Sequence, residues 1–338
     1  MQLNNYYEQR LFCFINPNDN DCLSKLNKND LKELIKYLNH YKLSLKDRVG
    51  INSNNTFGFE LEFEHVKKIK LYDAWYASDY SDNYQYIEDG TLCDGKEITT
   101  PMLNDNNKTW QDLNNVCNLI KKYGSIGKNS GGHIHIGAHS FKYKKEELLN
   151  LIYLWSSFEN IIFRFSYGEY LSNRPSLTSY AKPIAYQYYK TYEEYKNSKY
   201  TTIDDLLKRL KYSKNLALNF KHVTNFQEKK DMNTIEVRCP NESLNAIIKQ
   251  NELLFFYSLF NYAKVDNFDF DLVKKINKDN FEIFNDLSYY NKVYLNQALK
   301  LADLIYNNNL DKIYFLTQYL KHFQISDKLL VKSKRFTI

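Results

Sequence analysis

The stretch that most constrains this chain is Phe57 to Glu64, which reads Phe-Gly-Phe-Glu-Leu-Glu-Phe-Glu. Side chains alternate between faces along a strand, so Phe59, Leu61 and Phe63 take one side while Glu60, Glu62 and Glu64 take the other. A fold that accepts such a strand needs a hydrophobic layer against the first face and an environment for clustered carboxylates on the second. Carboxylates two residues apart on a strand stand roughly 6.5 to 7 Å apart. On a partly buried face they repel one another and resist ionisation. Divalent cations relieve both strains, because Mg²⁺ and Ca²⁺ prefer carboxylate oxygens. An edge strand with a solvated acidic side fits the same pattern, so this stretch alone leaves both readings open.

Three further segments repeat the design. Residues 84 to 101 contain two Asp-Gly turn signals, and strand-like pieces between and after them bring Asp89 and Glu97 to neighbouring positions. Gly132-His133-Ile134-His135-Ile136-Gly137 puts two imidazoles on one face and two isoleucines on the other, an arrangement suited to metal or phosphate contact or to two hydrogen-bonded histidines. Asn233 to Pro240 places Glu236 and Arg238 opposite Ile235 and Val237. All ten glycines fall between Gly50 and Gly168, which marks that interval as the turn-rich part of the chain. The loop Gly124 to Gly132 resembles a phosphate loop only superficially, because Lys128 is followed by Asn129 and the spacing is wrong. Four strands of one design predict an α+β fold. Its antiparallel-dominated curved sheet carries a charged concave face, and helices pack behind it.

Helical periodicity accounts for most of the rest. Leu31, Leu34, Ile35 and Leu38 define a helix capped near Asn29 or Asp30, within an N-terminal extension over residues 1–50. A helix from Thr109 to Tyr123 and another from Glu146 to Phe165 belong to the central region, residues 51–262. Glu159 lies on the apolar stripe of the second and wants a partner, with Arg164 or Arg174 as candidates. Residues 196–230 carry nine Lys or Arg against Asp204, Asp205 and Glu228. That segment is a candidate lid over an anionic substrate, with a solvated helical surface as the alternative. After Ser243 the pattern is helical, with segments at Leu244–Ala263, 270–276, 281–290, 294–306 and 310–323. A basic tail follows at 328–335. The region 263–338 is expected to serve as a scaffold or as a homo-oligomer contact.

Bulk properties narrow the function classes. The net charge of +6 is mild and argues against a dedicated nucleic-acid binder. Five cysteines without a C-x-x-C pair argue against a disulfide framework or a zinc ribbon. The N-terminal residues lack a signal-peptide pattern, and no apolar run approaches the ~18 residues that span a bilayer. A cytoplasmic protein without membrane contact is expected.

Carboxylates and imidazoles on one surface can hold two divalent ions and the arginine can hold phosphate, which is equipment for ATP-dependent phosphoryl transfer. The ordered set is Glu-x-Glu, an acid and a glutamate eight residues apart, Gly-x-His-x-His and Ile-Glu-Val-Arg-x-Pro. Over roughly residues 56 to 262 it resembles the glutamine synthetase and glutamate-cysteine ligase superfamily, and its amidoligase branch most of all. The resemblance implies a glutamine-synthetase-like catalytic fold, ATP as substrate and two Mg²⁺ (or Mn²⁺) ions. It implies that Glu62, Asp89 and Glu97 hold one ion while Glu60, His133 and Glu236 hold the other. It further implies that Arg238 and His135 contact the phosphates, and that the Gly131-Gly132 turn lies against the acceptor substrate. Asp89 departs from the superfamily's usual glutamate. The implied reaction phosphorylates a substrate carboxylate, after which an amine attacks the acyl phosphate to form an amide or isopeptide bond. Small-molecule or peptide carboxylates and amines are the implied substrates. Three alternatives remain: a guanidino-group phosphotransferase, a zinc hydrolase using His133, His135 and a glutamate, and a catalytically idle binding module.

Overall fold

The structure, a computed structural model, describes residues 2–321 apart from 89, 91, 93, 128, 143, 167–176, 200, 225, 227–228, 231 and 278–294. The expected helix at 281–290 and the basic tail at 328–335 therefore lie outside the described residues, as do Asp89 and Arg174. The chain opens with helices α1 (Gln2–Phe14) and α2 (Lys28–His40), then strand β1 (Phe57–Phe63), α3 (Lys68–Tyr76), β2 (Gln85–Ile87) and β3 (Lys96–Thr99). Next come α4 (Asn107–Tyr123), β4 (Gly132–Gly137), α5 (Lys145–Phe165), α6 (Leu177–Tyr180), α7 (Ala185–Tyr195) and α8 (Ile203–Leu210). Two strands, β5 (Leu218–Asn219) and β6 (Thr234–Val237), precede α9 (Ala246–Ala263), α10 (Phe270–Asn277), α11 (Leu295–Ile305) and α12 (Asn309–Lys321).

The strands form one sheet in the order β2-β3-β1-β4-β6-β5, and every pairing is antiparallel. The acidic strand β1 is thus interior, flanked by β3 and β4, and not a solvated edge. Its Phe57 stacks on Trp110 of α4 with ring centroids 5.3 Å apart, and Phe59 meets the same indole at 6.3 Å. Phe59, Leu61, Phe63, Ile98, Ile134, Ile136, Ile235 and Val237 are all buried, which is the hydrophobic layer the alternation demands. Behind it, Phe165 of α5, Phe255 of α9 and Phe315 of α12 stack within about 5.1 Å of one another. The two terminal helical regions meet: Asp303 of α11 accepts the backbone N–H groups of Leu23 and Ser24 and pairs with Lys312 of α12.

Two expectations about helices need correction. Helix α2 is capped by Asn27, whose side chain accepts from the N–H groups of Asn29 and Asp30, because capping requires a residue ahead of those donors. Among the described residues Glu159 has no arginine partner, and the candidate Arg174 lies outside them. Its carboxylate accepts the N–H groups of Ile184 (2.7 Å) and Ala185 (3.0 Å) at the start of α7, and the Trp155 indole N–H at 3.1 Å. Such orphan donors at a helix N-terminus favour an anion. Helix α5 kinks at Phe158. There the Ser156 and Ser157 hydroxyls donate back to the carbonyls of Ile152 and Tyr153, a habit that bends helices.

Burial pushes the Glu159 carboxyl up to about 7 from its usual 4.5, against the pull of those N–H donors. A raised carboxyl contributes stability that is fully present below pH 4.5 and is lost as pH rises through about 7. Replacing Glu159 by Ala strands three buried donors and should lower unfolding free energy by roughly 2 to 5 kcal/mol. It should also flatten the pH dependence between 4.5 and 7, as read by urea denaturation across that range.

Candidate active site

The strand registers decide which polar side chains meet. Glu60 of β1 lies opposite His133 of β4 on one side and Thr99 of β3 on the other. Glu62 lies opposite Glu97, and His135 opposite Glu236. Asn219 of β5 extends the row beyond Glu236. Because all these residues share one phase of the alternation, they occupy the face opposite the phenylalanines.

Glu60 is the hub. Its Oε2 stands 2.5 Å from His133 Nδ1 and its Oε1 stands 2.9 Å from His135 Nε2. Burial pushes this carboxyl up, but the two imidazoles overcome it and hold the group well below the usual carboxylate range. In return, the Glu60 carboxylate lifts the His135 imidazole despite its burial. Thr234 Oγ1, 2.8 Å from Nδ1, orients the other side of that ring. Glu236, fully buried, receives Asn219 Nδ2 at 2.6 Å on Oε2 and the Arg238 guanidinium on Oε1, and His222 Nε2 stands 3.5 Å away. Burial opposes its ionisation, yet His222, His135, Arg238 and His133 bring it down to about 2. Glu97 goes the other way: burial and then the charge of Glu60 push it up to about 7, against a hydrogen bond from Thr99.

Glu62 plays a double part. Its Oε2 accepts the N–H of Gly131 at 2.5 Å, and its Oε1 lies 3.6 Å from His133 Nε2. Since β4 starts at Gly132, the Glu62 N–H has no strand partner there, and Glu242 Oε2 accepts it at 3.0 Å. Glu242 in turn pairs at 2.6 Å with Lys249 of α9, both fully buried. Gly132 sits directly over that lysine: a Cβ there would come within 2.7 Å of Lys249 Nζ and 3.0 Å of the Asn241 carbonyl oxygen. The Gly-Gly turn thus answers a close approach from behind the sheet. Glu64, just past β1, does not join the cluster; it is buried beneath the glycine-rich loop, where a Cβ on Gly127 would strike its carboxylate.

The donor atoms of Glu60, His135 and Glu236 all lie within 4.8 Å of one another, a spacing that one cation spans. Both imidazoles lie against Glu60, so His135, expected on phosphate, also stands among the ion-binding candidates. Arg238 is tied to Glu236 and donates its Nε–H to the Tyr180 carbonyl at 3.0 Å. Glu62 and Glu97 face each other across β1 and β3, and Asp89, the third member of the set implied for one ion, lies outside the described residues. Asn219, His222, Thr234 and the Glu242–Lys249 pair are additions with weak sequence signals. Asn219 and His222 fall in the basic segment 196–230, where a two-residue strand shows no alternation. That segment also holds α8, with four buried apolar residues, and it reaches the face through His222 and Lys230. In front of Glu60 and His135 opens a cavity of about 320 Å³, bounded by Gln85, Thr99, Met102, Lys230 and Met232.

Against protein-family models, residues 71–254 match the family described as "putative amidoligase enzyme", more than half of the 338-residue chain. The chain belongs to this family. No curated protein matches the sequence. The matched stretch of this amidoligase-family chain holds Glu97, His133, His135, Glu236 and Arg238 but begins after Glu60 and Glu62. What joins β1 to it is the sheet, through ladders on both sides of β1. No helix among the described residues is long and apolar enough to cross a membrane.

Replacing Gly132 by Ala forces the Lys249 amine or the Asn241 backbone to move. The expected loss is about 1 to 3 kcal/mol of unfolding free energy, measured by chemical denaturation. An unchanged midpoint would show that the turn yields freely.

Proposed function

We propose that the protein is an ATP-dependent carboxylate–amine ligase that forms an amide or isopeptide bond through an acyl phosphate. The observation that carries this reading is the convergence of Glu60, Glu62, Glu97, His133, His135 and Glu236 on one face of one sheet, inside an amidoligase family. The open antiparallel sheet with helices against its apolar face supports a glutamine-synthetase-like catalytic fold.

The donor set fits Mg²⁺ or Mn²⁺. Two carboxylates held ionised and an imidazole lie within one cation's reach, and like charges so close need compensation. Glu60, Glu236 and His133 or His135 would hold one ion, and Glu62, Glu97 and Asp89 a second. When bound, such ions neutralise charge on ATP's phosphates and on the transferring phosphoryl group. The chain's own groups do the rest. Arg238, oriented by Glu236 and the Tyr180 carbonyl, would bring its guanidinium charge to the phosphate oxygens. Thr234 fixes the ring of His135 so that Nε2 faces Glu60. The substrate carboxylate takes the γ-phosphoryl group and releases ADP. The amine then attacks the carbonyl carbon, and phosphate leaves with the C–O bond electrons. The cavity in front of Glu60 is sized for a small-molecule or peptide-end substrate.

One cluster feature favours a second reading. Two carboxylates and one imidazole also suit a zinc hydrolase, which would act without nucleotide.

The test is nucleotide turnover with MgATP and pools of amino acids, peptides and amines, reading ADP and phosphate. Pool-dependent ADP release should fall by about 100-fold or more in Glu60→Gln and Arg238→Ala. Failure of folded protein to bind MgATP would sink the ligase. Hydrolysis independent of ATP and abolished by a zinc-selective chelator would favour the alternative.

A further inference from the structure

A second cavity, of about 610 Å³, opens beside the loop that leads into β1 and is lined by Asn52, Asn54, Ser140, Tyr257, Asn261 and Lys264 among others. None of the described residues lining it is an Asp or Glu. Tyr257, Lys264 and Ser140 contribute donors to its walls. Tyr257 Oη accepts the N–H of Asn52 at 3.2 Å and the amide of Asn55 at 2.5 Å, so both of its acceptor sites are taken. Its own proton has no acceptor among the described residues. Lys264, at the end of α9, gives one N–H to the Ser140 carbonyl at 3.1 Å and makes no ion pair among them, which leaves two N–H bonds. The Ser140 hydroxyl is buried without a hydrogen-bond partner among the described residues.

We propose that this cavity is an anion-binding site, taking the phosphate or carboxylate group of a small molecule between Lys264, Tyr257 and Asn261. A cation amid neutral amides and hydroxyls, with no carboxylate on the walls, attracts an anion and repays its desolvation through charge-assisted hydrogen bonds. The charged neighbours outside the walls include Asp105, whose carboxylate accepts the N–H groups of Val49, Gly50 and Ile51 behind the Gly50 wall, Glu147, whose carboxylate accepts the Lys142 N–H, and Lys142 itself. Burial takes the Lys264 amine down from 10.5 to about 8, the behaviour of an ammonium still short of a counter-charge. Its nearest company is aromatic: the Phe141 ring at 5.2 Å and the Tyr257 ring at 5.8 Å. His139 Nε2 lies 2.9 Å from the Asn54 carbonyl and pins the loop over the cavity. That loop continues into Thr56 and Gly58, which line the cavity in front of Glu60, so an anion bound here stiffens a wall of the other site. This site does not depend on the ligase reading.

The test uses protein with ¹³C-labelled lysine and no nucleotide. The Lys264 Cε signal is identified by its loss in Lys264→Met, or in Lys264→Arg should the first variant not fold. Inorganic phosphate or acetate should move that signal saturably and raise its titration midpoint above about 8. In Asn261→Asp, a change at a partly exposed position that puts a carboxylate on the wall, the half-saturating concentration should rise about tenfold or more. A response to phosphate alone assigns a phosphorylated ligand, to acetate alone a carboxylate ligand. A Lys264 signal that neither anion moves, or an Asn261→Asp response equal to wild type, overturns the proposal.

Discussion

The carboxylate of Glu60 is shared by His133 and His135, and much of the molecule exists to put those three groups together. The contact requires β4 beside β1 in a register that sets Glu60 opposite His133 and Gly58 opposite His135. Gly58 supplies the room: a Cβ there would stand 3.9 Å from that of His135 and 3.2 Å from the Thr100 hydroxyl. A one-residue slip would exchange the polar and apolar faces of the strand, exposing Phe59 and burying Glu60 in hydrocarbon. Phe57 and Phe59, packed on Trp110, forbid that slip, so the hydrophobic core enforces the geometry of the charged face.

The charged face then regulates itself by pairing. Glu236 is fully buried, and a lone buried carboxylate would protonate rather than stay charged. His222, His135, Arg238 and His133 keep it ionised, while burial and the charge of Glu60 push Glu97 towards neutrality. One sheet thus carries carboxylates of opposite character a few ångströms apart. Perturbation of this kind is common where cations or substrates complete the charge balance. Behind the sheet the Glu242–Lys249 pair does the equivalent task for the backbone, capping the Glu62 N–H where β4 has not yet begun.

How much of this was legible in the sequence follows from how local each signal is. Strand alternation is local, so the polar faces of β1, β3, β4 and β6 were readable from Glu60, Glu97, His133, His135 and Glu236. The long helices α4 and α5 announced themselves by period, and α9 by an apolar run too long for a strand. Capping of α7 by Glu159 was not legible, since its donors, the Ile184 and Ala185 N–H groups, come from a distant segment and backbone donors leave no trace in residue identity. Asn219 was hidden for a related reason: a two-residue strand has no period, and its place in the sheet comes from tertiary pairing with Glu236, which His222 reaches only from the turn beyond β5. The Gly131-Gly132 turn was visible, but its cause, a lysine on a helix over a hundred residues later, was not.

The most direct test of this account is whether the cluster binds a divalent cation at all. Titration of the protein with Mn²⁺, followed by electron paramagnetic resonance of the free ion, should show saturable binding that Glu236→Gln weakens about tenfold or more. It should strengthen when ATP is added. Mn²⁺ that stays free in the presence of folded protein, or binds Glu236→Gln as tightly as the native chain, would contradict the account.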